Sequence, residues 1–316
     1  MVGALPFLIK KGALGEVANA LPFFGSNPGI IIDPKLDNEL KKEIKKGLVT
    51  VFWRVTESFF SACLIEKPFD PDFDLYNVRY NGRIEQGEGI FTDKRIGMMT
   101  RIPEKGEVIN IYHSKTRNLV KKAIKEGLIV ERTRDINDLE QIIEIHKKNM
   151  MAIGAPYKPM SFFAWLKRKI GDLDTMIYKA VHPKDGSIIA GLVLFVHNQT
   201  AEYFMPVIKE EARIMAPLNL IIYKAMSDLQ KRKVGLWNWG GTATEGQEGV
   251  AHFKRRFGAE EVLYYYHIRT KAKNLVMTPQ ELSKEYKYFY VLPYNQLISK
   301  MNSPTDFYWQ PDEEGK

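Results

Sequence analysis

The stretch GLWNWGGTATEGQEGVAHFKRRFG, residues 235–258, decides the predicted fold. Its first part, LWNW, is a short apolar and aromatic run typical of a β-strand, and two glycines then break it. Thr244 precedes Gln247 by three residues, which is the spacing of a capping box, so a helix is predicted to begin there. Gly258 suits the position just after a helix C-terminus. The stretch therefore predicts a strand, a glycine turn and a helix.

Within this predicted helix, Val250, Phe253 and Phe257 fall on one apolar stripe. Lys254 lies at the margin of that stripe, whereas the two arginines that follow it point elsewhere. Geometry alone favours a surface helix whose lysine lays its aliphatic stem along the edge of the core and keeps its charge in water.

The order of strand, Gly-Gly-Thr, helix with Phe-Lys-x-x-Phe-Gly and strand over residues 261–269 resembles the closing segment of the Fem family. These FemAB-like enzymes are tRNA-dependent aminoacyltransferases that build peptidoglycan cross-bridges on two GNAT-like lobes. The similarity extends, more weakly, over most of the chain. It implies that Lys254, together with the backbone amide of Phe253, stabilises the oxyanion of acyl transfer. Wider FemAB-like acyltransferases of unknown substrate share the same pair of motifs.

From Gly127 the predicted order is strand, two helices, three strands, helix, strand, helix, strand, which is the order of a GNAT-like fold. The predicted fold class is therefore α/β, with tandem GNAT-like acyltransferase lobes of which the first is N-terminally incomplete. Residues 1–127 are expected to form the partial first lobe with a connecting basic helix, and residues 128–270 the complete second lobe. Residues 271–316 are expected to be a tail that packs back on the first lobe.

The N-terminal segment resembles the latter half of the first Fem repeat, in which a Gly-Pro turn leads to an apolar run that ends in aspartate. Asp33 matches a family position near the acceptor site, which makes it a candidate acceptor-binding residue. It equally suits the N-cap of a helix predicted over residues 35–57, with Pro34 at the first helical position. Both roles are compatible.

A basic helix predicted over residues 107–126 is similar to the helix that joins the two repeats in this family. Its cations form a candidate phosphate-contacting surface, and an ordinary basic helix face is the alternative. No aromatic residues interleave with these charges, so base stacking is not supported there. The candidate donor-binding residues are Arg117, Lys121, Lys122 and Arg255.

The cofactor prediction rests on residues 207–217, where acetyl-CoA enzymes of this fold place a glycine-rich loop that cradles a pyrophosphate. This chain has no glycine in that stretch, and Glu210 and Glu211 would repel phosphate. No cofactor is therefore expected, and the resemblance implies charged tRNA as the acyl donor. Tyr203 and Asn219 flank the stretch and could line the donor groove, and a structural role is the alternative for each. With Asp33 and Trp239 they complete the candidate acceptor-binding set.

Composition restricts the classes of function and partner that remain possible. The 46 Lys and Arg residues exceed the 38 Asp and Glu residues, for a formal charge of +8, which favours anionic partners. A single cysteine, Cys63, excludes an intrachain disulfide and fits a reducing cytoplasm. The six histidines show no metal-ligand spacing, and the acidic run PFDPDFD lacks the glycine and final glutamate of an EF-hand loop, so no metal is expected. No run approaches the roughly 20 apolar residues of a transmembrane helix.

These observations predict an acyltransferase that moves an amino acid from aminoacyl-tRNA to an amine of a lipid- or nucleotide-linked cell-envelope precursor. A general base is not needed where the attacking amine loses its proton to solvent or substrate, and Asp33 is the weak candidate for one. The expected location is the cytoplasm, with peripheral contact at the inner membrane face left open. One alternative is a CoA- or carrier-dependent N-acyltransferase of polysaccharide or lipid synthesis. The other is a non-catalytic RNA- or envelope-binding module.

Overall fold

The computed structural model describes residues 2–20, 29–66, 89–153, 157–172, 174–243, 248–271, 279–287 and 289. The strands are β1 Gly3–Ala4, β2 Leu8–Gly12, β3 Gly15–Asn19, β4 Ile31–Ile32, β5 Ser61–Ile65, β6 Gly89–Arg101, β7 Ile129–Thr133, β8 Thr175–Val181, β9 Ile188–His197, β10 Thr200–Ile208, β11 Leu236–Ala243 and β12 Glu260–Thr270. The α-helices are α1 Asn38–Val55, α2 Ser114–Lys125, α3 Ile136–Ala152, α4 Met160–Lys169, α5 Pro217–Lys231, α6 Glu248–Arg255 and α7 Pro279–Glu285. Val108–Ile111 and Glu210–Met215 are short 3-10 helices.

The described residues form two compact units, each assembled from separate stretches of the chain. Unit 1 contains those within 1–97, 241–246 and 262–309, and unit 2 contains those within 98–240 and 247–261. The units do not follow the predicted boundaries at 127 and 270. Helix α2 belongs to unit 2, and most of β12 belongs to unit 1 because it pairs antiparallel with β5, with Tyr266 opposite Ile65.

The sheet of unit 2 is antiparallel from β7 through β8 and β9 to β10, and β11 then joins β10 in parallel. The parallel pairing runs from Thr200 opposite Leu236 to Glu202 opposite Asn238. Strand β10 continues to Ile208 in its ladder with β9, after an irregularity that follows Tyr203. The two parallel strands therefore separate just beyond Glu202 and Asn238.

Helices cover both faces of this sheet. Neighbouring residues of a strand point to opposite faces, and Ile177 and Tyr178 in β8 show which helix lies on which face. Ile177 belongs to the core under α3 and α4, whereas the hydroxyl of Tyr178 bonds to Asp228 of α5 at 3.1 Å. The core on the α3 and α4 face consists of Leu139, Ile142, Ile143, Ile145, Phe163, Leu166, Ile177, Ile188, Val193, Met205 and Val207.

In unit 1, β2 pairs antiparallel with β3, β3 pairs parallel with β5, and β5 pairs antiparallel with β12. Helix α1 buries Val49, Phe52 and Trp53 in the core of this unit. The buried guanidinium of Arg269 donates to the carbonyls of Trp53 and Thr56, so a cation satisfies the C-terminus of α1.

The described part of the C-terminal tail packs within unit 1. The hydroxyl of Tyr286 donates to the carbonyl of Gly15 at 3.0 Å and accepts from the amide of Leu14 at 2.9 Å, and its ring stacks on Phe60. The other aromatic residues singled out in the tail, at positions 288, 290, 294, 308 and 309, lie outside the described residues.

Several local predictions require correction. Asp33 does not cap α1: its Oδ1 accepts from the amide of Lys35 in a turn, and Asp37 caps the helix by accepting from Leu40 at 2.9 Å. The helix predicted over residues 107–126 is a 3-10 turn followed by α2, with His113 as the N-cap. Strand β11 also runs through the glycine pair at 240 and 241 instead of ending before it. The predicted capping box at 244–247 lies outside the described residues.

Candidate active site

Helix α6 turns Lys254 inward. Ala251, Lys254 and Phe257 are 4%, 6% and 0% exposed, whereas Val250 is 47% exposed. The apolar stripe predicted through Val250 is therefore wrong, because the buried face of this helix lies about one position further along. A lysine that is 6% exposed does not keep its charge in solvent, so the interpretation of Lys254 as a snorkelling surface residue is also wrong.

Glu202 of β10 lies where β10 and β11 separate. Its Oε2 accepts a hydrogen bond of 2.6 Å from the side-chain amide of Asn238, its register partner on β11. The other end of the Asn238 side chain accepts from the backbone amide of Gly240 at 2.9 Å. Gly240 has a φ of +76°, and a Cβ there would lie 3.9 Å from Oε1 of Glu202. Asn238 thus holds the Glu202 carboxylate next to the backbone of β11 at Gly240.

Glu202 and Lys254 perturb each other's ionisation. Burial raises the pKa of Glu202 to about 7, although the hydrogen bond from Asn238 and the charge of Lys254 both oppose that shift. Burial lowers the pKa of Lys254 to about 8, and the carboxylate of Glu202 opposes this shift. Desolvation outweighs the attraction in both cases. A carboxyl group and an amine that both titrate near neutral pH are the features expected of acid–base chemistry.

An aromatic cluster supports Lys254 from the rest of unit 2. The ring of Trp239 lies 4.9 Å from Tyr203, 6.2 Å from Phe253 and 5.4 Å from Phe257. The indole nitrogen of Trp239 donates to Thr100 at 2.8 Å. These contacts fix α6 against β10 and β11, so Trp239 and Tyr203 act here as packing residues around the charged pair.

The position of Phe253 in α6 argues against a role for its backbone amide. Only the first four N–H groups of a helix lack an intrahelical partner. Phe253 is the sixth residue of Glu248–Arg255, which puts its N–H beyond that first turn. Its ring instead packs 5.1 Å from Phe257. Lys254 is therefore the candidate oxyanion-stabilising group.

The other two predicted acceptor-binding residues are Asn219 and Asp33. Asn219 is 8% exposed in the first turn of α5. Asp33 lies in unit 1, whereas Lys254 and Glu202 lie in unit 2.

Three of the four predicted donor-binding cations make contacts within unit 2. Arg117 donates to the carbonyl of Tyr112 at 2.6 Å, and Lys122 donates to the carbonyl of Ile214 at 2.8 Å. Arg255 forms an ion pair with Glu261. Lys121 is exposed. The hydrogen bond from Lys122 connects α2 to the 3-10 helix at Glu210–Met215. This lysine therefore stabilises the fold, whether or not it also binds a ligand.

The glycine-free stretch is a folded turn. Residues 210–215 form a 3-10 helix with exposed carboxylates, and Arg213 pairs with Glu210. Ala216 adopts a left-handed conformation, with φ +54°, before Pro217 starts α5. The exposed carboxylates of Glu210 and Glu211 thus lie in the stretch where a glycine-rich phosphate loop would stand in an acetyl-CoA enzyme.

A groove of about 1160 Å³ lies between α3, α4 and residues 209–213, and neither Glu202 nor Lys254 lines it. Many of its charges neutralise one another: Lys147 pairs with Glu144, and Lys167 with Glu140. We take the Glu202–Lys254 pair as the candidate reactive centre, because perturbed ionisable groups are the stronger indication of chemistry.

The described residues were also compared with the requirements of a metal site and of a membrane-spanning helix. Among the described residues, no group of three or more His, Cys, Asp or Glu side chains has a metal-binding arrangement. No helix in the described part of the chain combines the length and apolar character needed to cross a membrane.

Comparison with known proteins bears on the fold. Residues 112–255 match the acetyltransferase (GNAT) domain family model. The chain has a GNAT-type acyltransferase fold. The crystal structure of FemX aligns with a TM-score of 0.62 at 15% identity and covers 84% of each chain. No curated protein sequence matches the chain.

Two lysylphosphatidylglycerol synthetase structures share the fold. The C-terminal domain of the putative enzyme from Agrobacterium fabrum aligns with a TM-score of 0.56 at 12% identity, covering 83% of this chain and 79% of that one. The L-PGS structure from Bacillus licheniformis aligns with a TM-score of 0.52 at 10% identity, covering 85% and 82%. At these identities the comparisons confirm the α/β, GNAT-like fold class that the element order predicts.

Sequence reasoning missed Glu202 and Asn238. Each lies inside a correctly placed strand among apolar and aromatic neighbours, and that isolated polarity was the available signal. Their pairing depends on the parallel register of two strands far apart in sequence, which the local pattern does not contain.

The shifted pKa of Glu202 predicts a pH dependence of stability. The pKa of about 7 in the folded protein lies above the ordinary value of 4.5 for a glutamate, so the unfolded chain loses this proton at a lower pH than the folded one. Stability contributed by the neutral carboxyl is complete below about pH 4.5 and is lost as the pH rises through about 7. We expect Glu202→Gln, which stays neutral, to gain stability relative to the wild type between about pH 5 and pH 7. Urea unfolding at both pH values measures this, and a constant difference would contradict the prediction.

Proposed function

We propose that this protein is an aminoacyltransferase that moves an amino acid from charged tRNA to an amine of a cell-envelope precursor. The observation that carries the proposal is the pair formed by the buried Lys254 and the half-buried Glu202, which lies where β10 and β11 separate and whose charge interacts with that of Lys254. Aminolysis of an ester needs a group that accepts the amine proton and a cation where the carbonyl oxygen becomes negative. The pair supplies both.

Glu202 acts as the general base. With a pKa near 7 its carboxylate is substantially ionised at neutral pH and takes a proton from the attacking amine. The bond from Asn238 leaves Oε1 of Glu202 to receive that proton. Asn238 is thus a positioning residue.

Lys254 stabilises the oxyanion. The amine nitrogen bonds to the ester carbonyl carbon, whose oxygen takes up the electron pair next to the ammonium group. When the intermediate collapses, the bond from carbon to the terminal ribose oxygen breaks, and that oxygen receives the proton held by Glu202. The products are an amide and an uncharged tRNA, and both side chains return to their starting protonation states.

The donor assignment follows from the 3-10 helix at 210–215 and from the resemblance to Fem enzymes. The exposed Glu210 and Glu211 oppose a pyrophosphate at that position. The formal charge of +8 favours a polyanionic substrate such as tRNA. The fold shared with FemX and with lysylphosphatidylglycerol synthetases adds support for an aminoacyl donor.

The acceptor in this proposal is a lipid- or nucleotide-linked precursor, as in the Fem family. Such an enzyme would work in the cytoplasm, with peripheral contact at the inner membrane face. A non-catalytic binding module would gain nothing from a buried lysine whose charge interacts with that of a half-buried carboxylate, because desolvating the two charges is costly.

One alternative activity has specific support. The family match over residues 112–255 is to an acetyltransferase domain, which favours a CoA-dependent N-acyltransferase with the same catalytic pair. Donor binding separates the two activities.

We expect Lys254→Met to lower kcat about 100-fold or more, the usual scale for losing one oxyanion-stabilising donor. Because methionine preserves the stem contacts, the fold should persist. Lys231→Met removes an exposed lysine of α5 and is the matched control. Unchanged turnover in folded Lys254→Met would return this residue to a structural role.

We expect kcat/KM to rise with pH through about 7 and to fall above about 8, as Glu202 and then Lys254 lose their protons. Glu202→Gln should remove the acidic limb and lower the rate roughly 100- to 10,000-fold. The control, Glu104→Gln, changes an exposed carboxylate and should keep both limbs. An acidic limb that persists in Glu202→Gln assigns the base to another group.

We expect charged tRNA to bind and acetyl-CoA not to bind. Binding of tRNA should weaken steeply with salt, and the slope should shrink when Arg117, Lys121 and Lys122 are neutralised together, because fewer counterions are released. Calorimetry with each ligand measures this. Tight acetyl-CoA binding together with absent or salt-insensitive tRNA binding would establish the CoA-dependent alternative.

A further inference from the structure

Four partly exposed aromatic side chains form a continuous strip on unit 2: Phe162 and Trp165 of α4, Phe195 of β9 and Phe204 of β10. We call this set the aromatic strip. Trp165 is 38% exposed. Its ring lies 5.7 Å from Phe162 and 5.8 Å from Phe195, and Phe195 lies 4.9 Å from Phe204. These rings contact one another in tilted or edge-on arrangements, and the indole of Trp165 remains partly at the surface instead of being covered.

The strip leads to the reactive centre. Phe195 is the direct cross-strand partner of Glu202 in the antiparallel ladder of β9 and β10. Directly opposed residues place their side chains on the same face of a sheet. A ligand that lies along the strip from Trp165 across Phe195 therefore brings its end to the Glu202 carboxylate.

Cations border the strip. The ammonium group of Lys158 lies 4.7 Å from the centroid of the Phe204 ring. Arg168 is exposed and three residues beyond Trp165 on α4, so the two are neighbours on the helix surface. Exposed aromatic rings interleaved with cations are the pattern with which proteins bind single-stranded nucleic acid, by stacking bases and neutralising phosphates. The basic helix α2 has the cations without the aromatic residues.

We propose that the aromatic strip binds the single-stranded 3′ end of the donor RNA, with the terminal base stacked on Trp165 and Phe195 and Arg168 close to a backbone phosphate. The inference rests on the proposed function, because it places the acyl ester of the RNA at Glu202. In this arrangement α4 and β9 recognise the single-stranded end of the RNA, and α2 makes any contact with the double-stranded part.

The test measures how tightly the full-length protein binds an RNA hairpin that carries no amino acid and ends in single-stranded ACCA. A second hairpin carries an abasic residue in place of the terminal adenosine. The variants are Trp165→Leu and Phe195→Leu, and Tyr223→Leu of α5 is the control for loss of a half-buried aromatic ring elsewhere in unit 2.

We expect each strip variant, and separately the abasic hairpin, to weaken binding roughly 5- to 100-fold, the range for loss of one base–aromatic stack. Combining Trp165→Leu with the abasic hairpin should add little, because both remove the same contact. Arg168→Met should reduce the salt dependence while keeping the preference for the intact base. Tyr223→Leu should bind like the wild type.

Equal binding of both hairpins by the wild type, or full additivity of the two changes, would overturn the inference. Binding of anionic vesicles that depends on Trp165, without RNA binding, would overturn it in favour of a membrane contact. The proposed function fails separately, if base-dependent binding is found but charged tRNA never donates its amino acid. Transfer from charged tRNA that is indifferent to the strip variants refutes the inference alone.

Discussion

The attraction between the carboxylate of the half-buried Glu202 and the ammonium group of the buried Lys254 is the interaction on which the candidate site depends. Neither group would remain ionised alone in a desolvated position, and burial has already moved both pKa values towards neutrality. Their mutual attraction limits those shifts, so both stay able to exchange protons at physiological pH. Removing the two charged groups from water costs free energy, and that cost is what brings both pKa values close to neutral pH.

The fold makes room for that pair by letting two parallel strands part. Pairing of β10 with β11 ends at Glu202 and Asn238, and the side-chain amide of Asn238 spans the point of separation by bonding to Glu202 and to the amide of Gly240. The positive φ of Gly240 turns the backbone there without a side chain beside the carboxylate. The aromatic cluster around Trp239 then holds α6, and with it Lys254, against these strands.

The same fold carries different acyl donors in different proteins, so the assignment of a donor has to come from local chemistry. Two local features bear on the donor here. One is the 3-10 helix at residues 210–215, whose carboxylates are exposed, and the other is the aromatic and basic surface of α4. The first opposes a pyrophosphate cradle and the second suits a nucleic acid end. Both features lie outside the motif that first suggested an acyltransferase.

The sequence by itself determined the elements of unit 2, because strands such as 188–197 and 200–208 and helix α3 have periodic apolar patterns that local reasoning identifies. It also singled out Lys254. Only the tertiary structure decided that Lys254 is buried, that Asp37 and not Asp33 caps α1, and that Glu202 faces Asn238. The physical reason is that periodicity records which residues avoid water within one element, whereas register and burial depend on partners far along the chain.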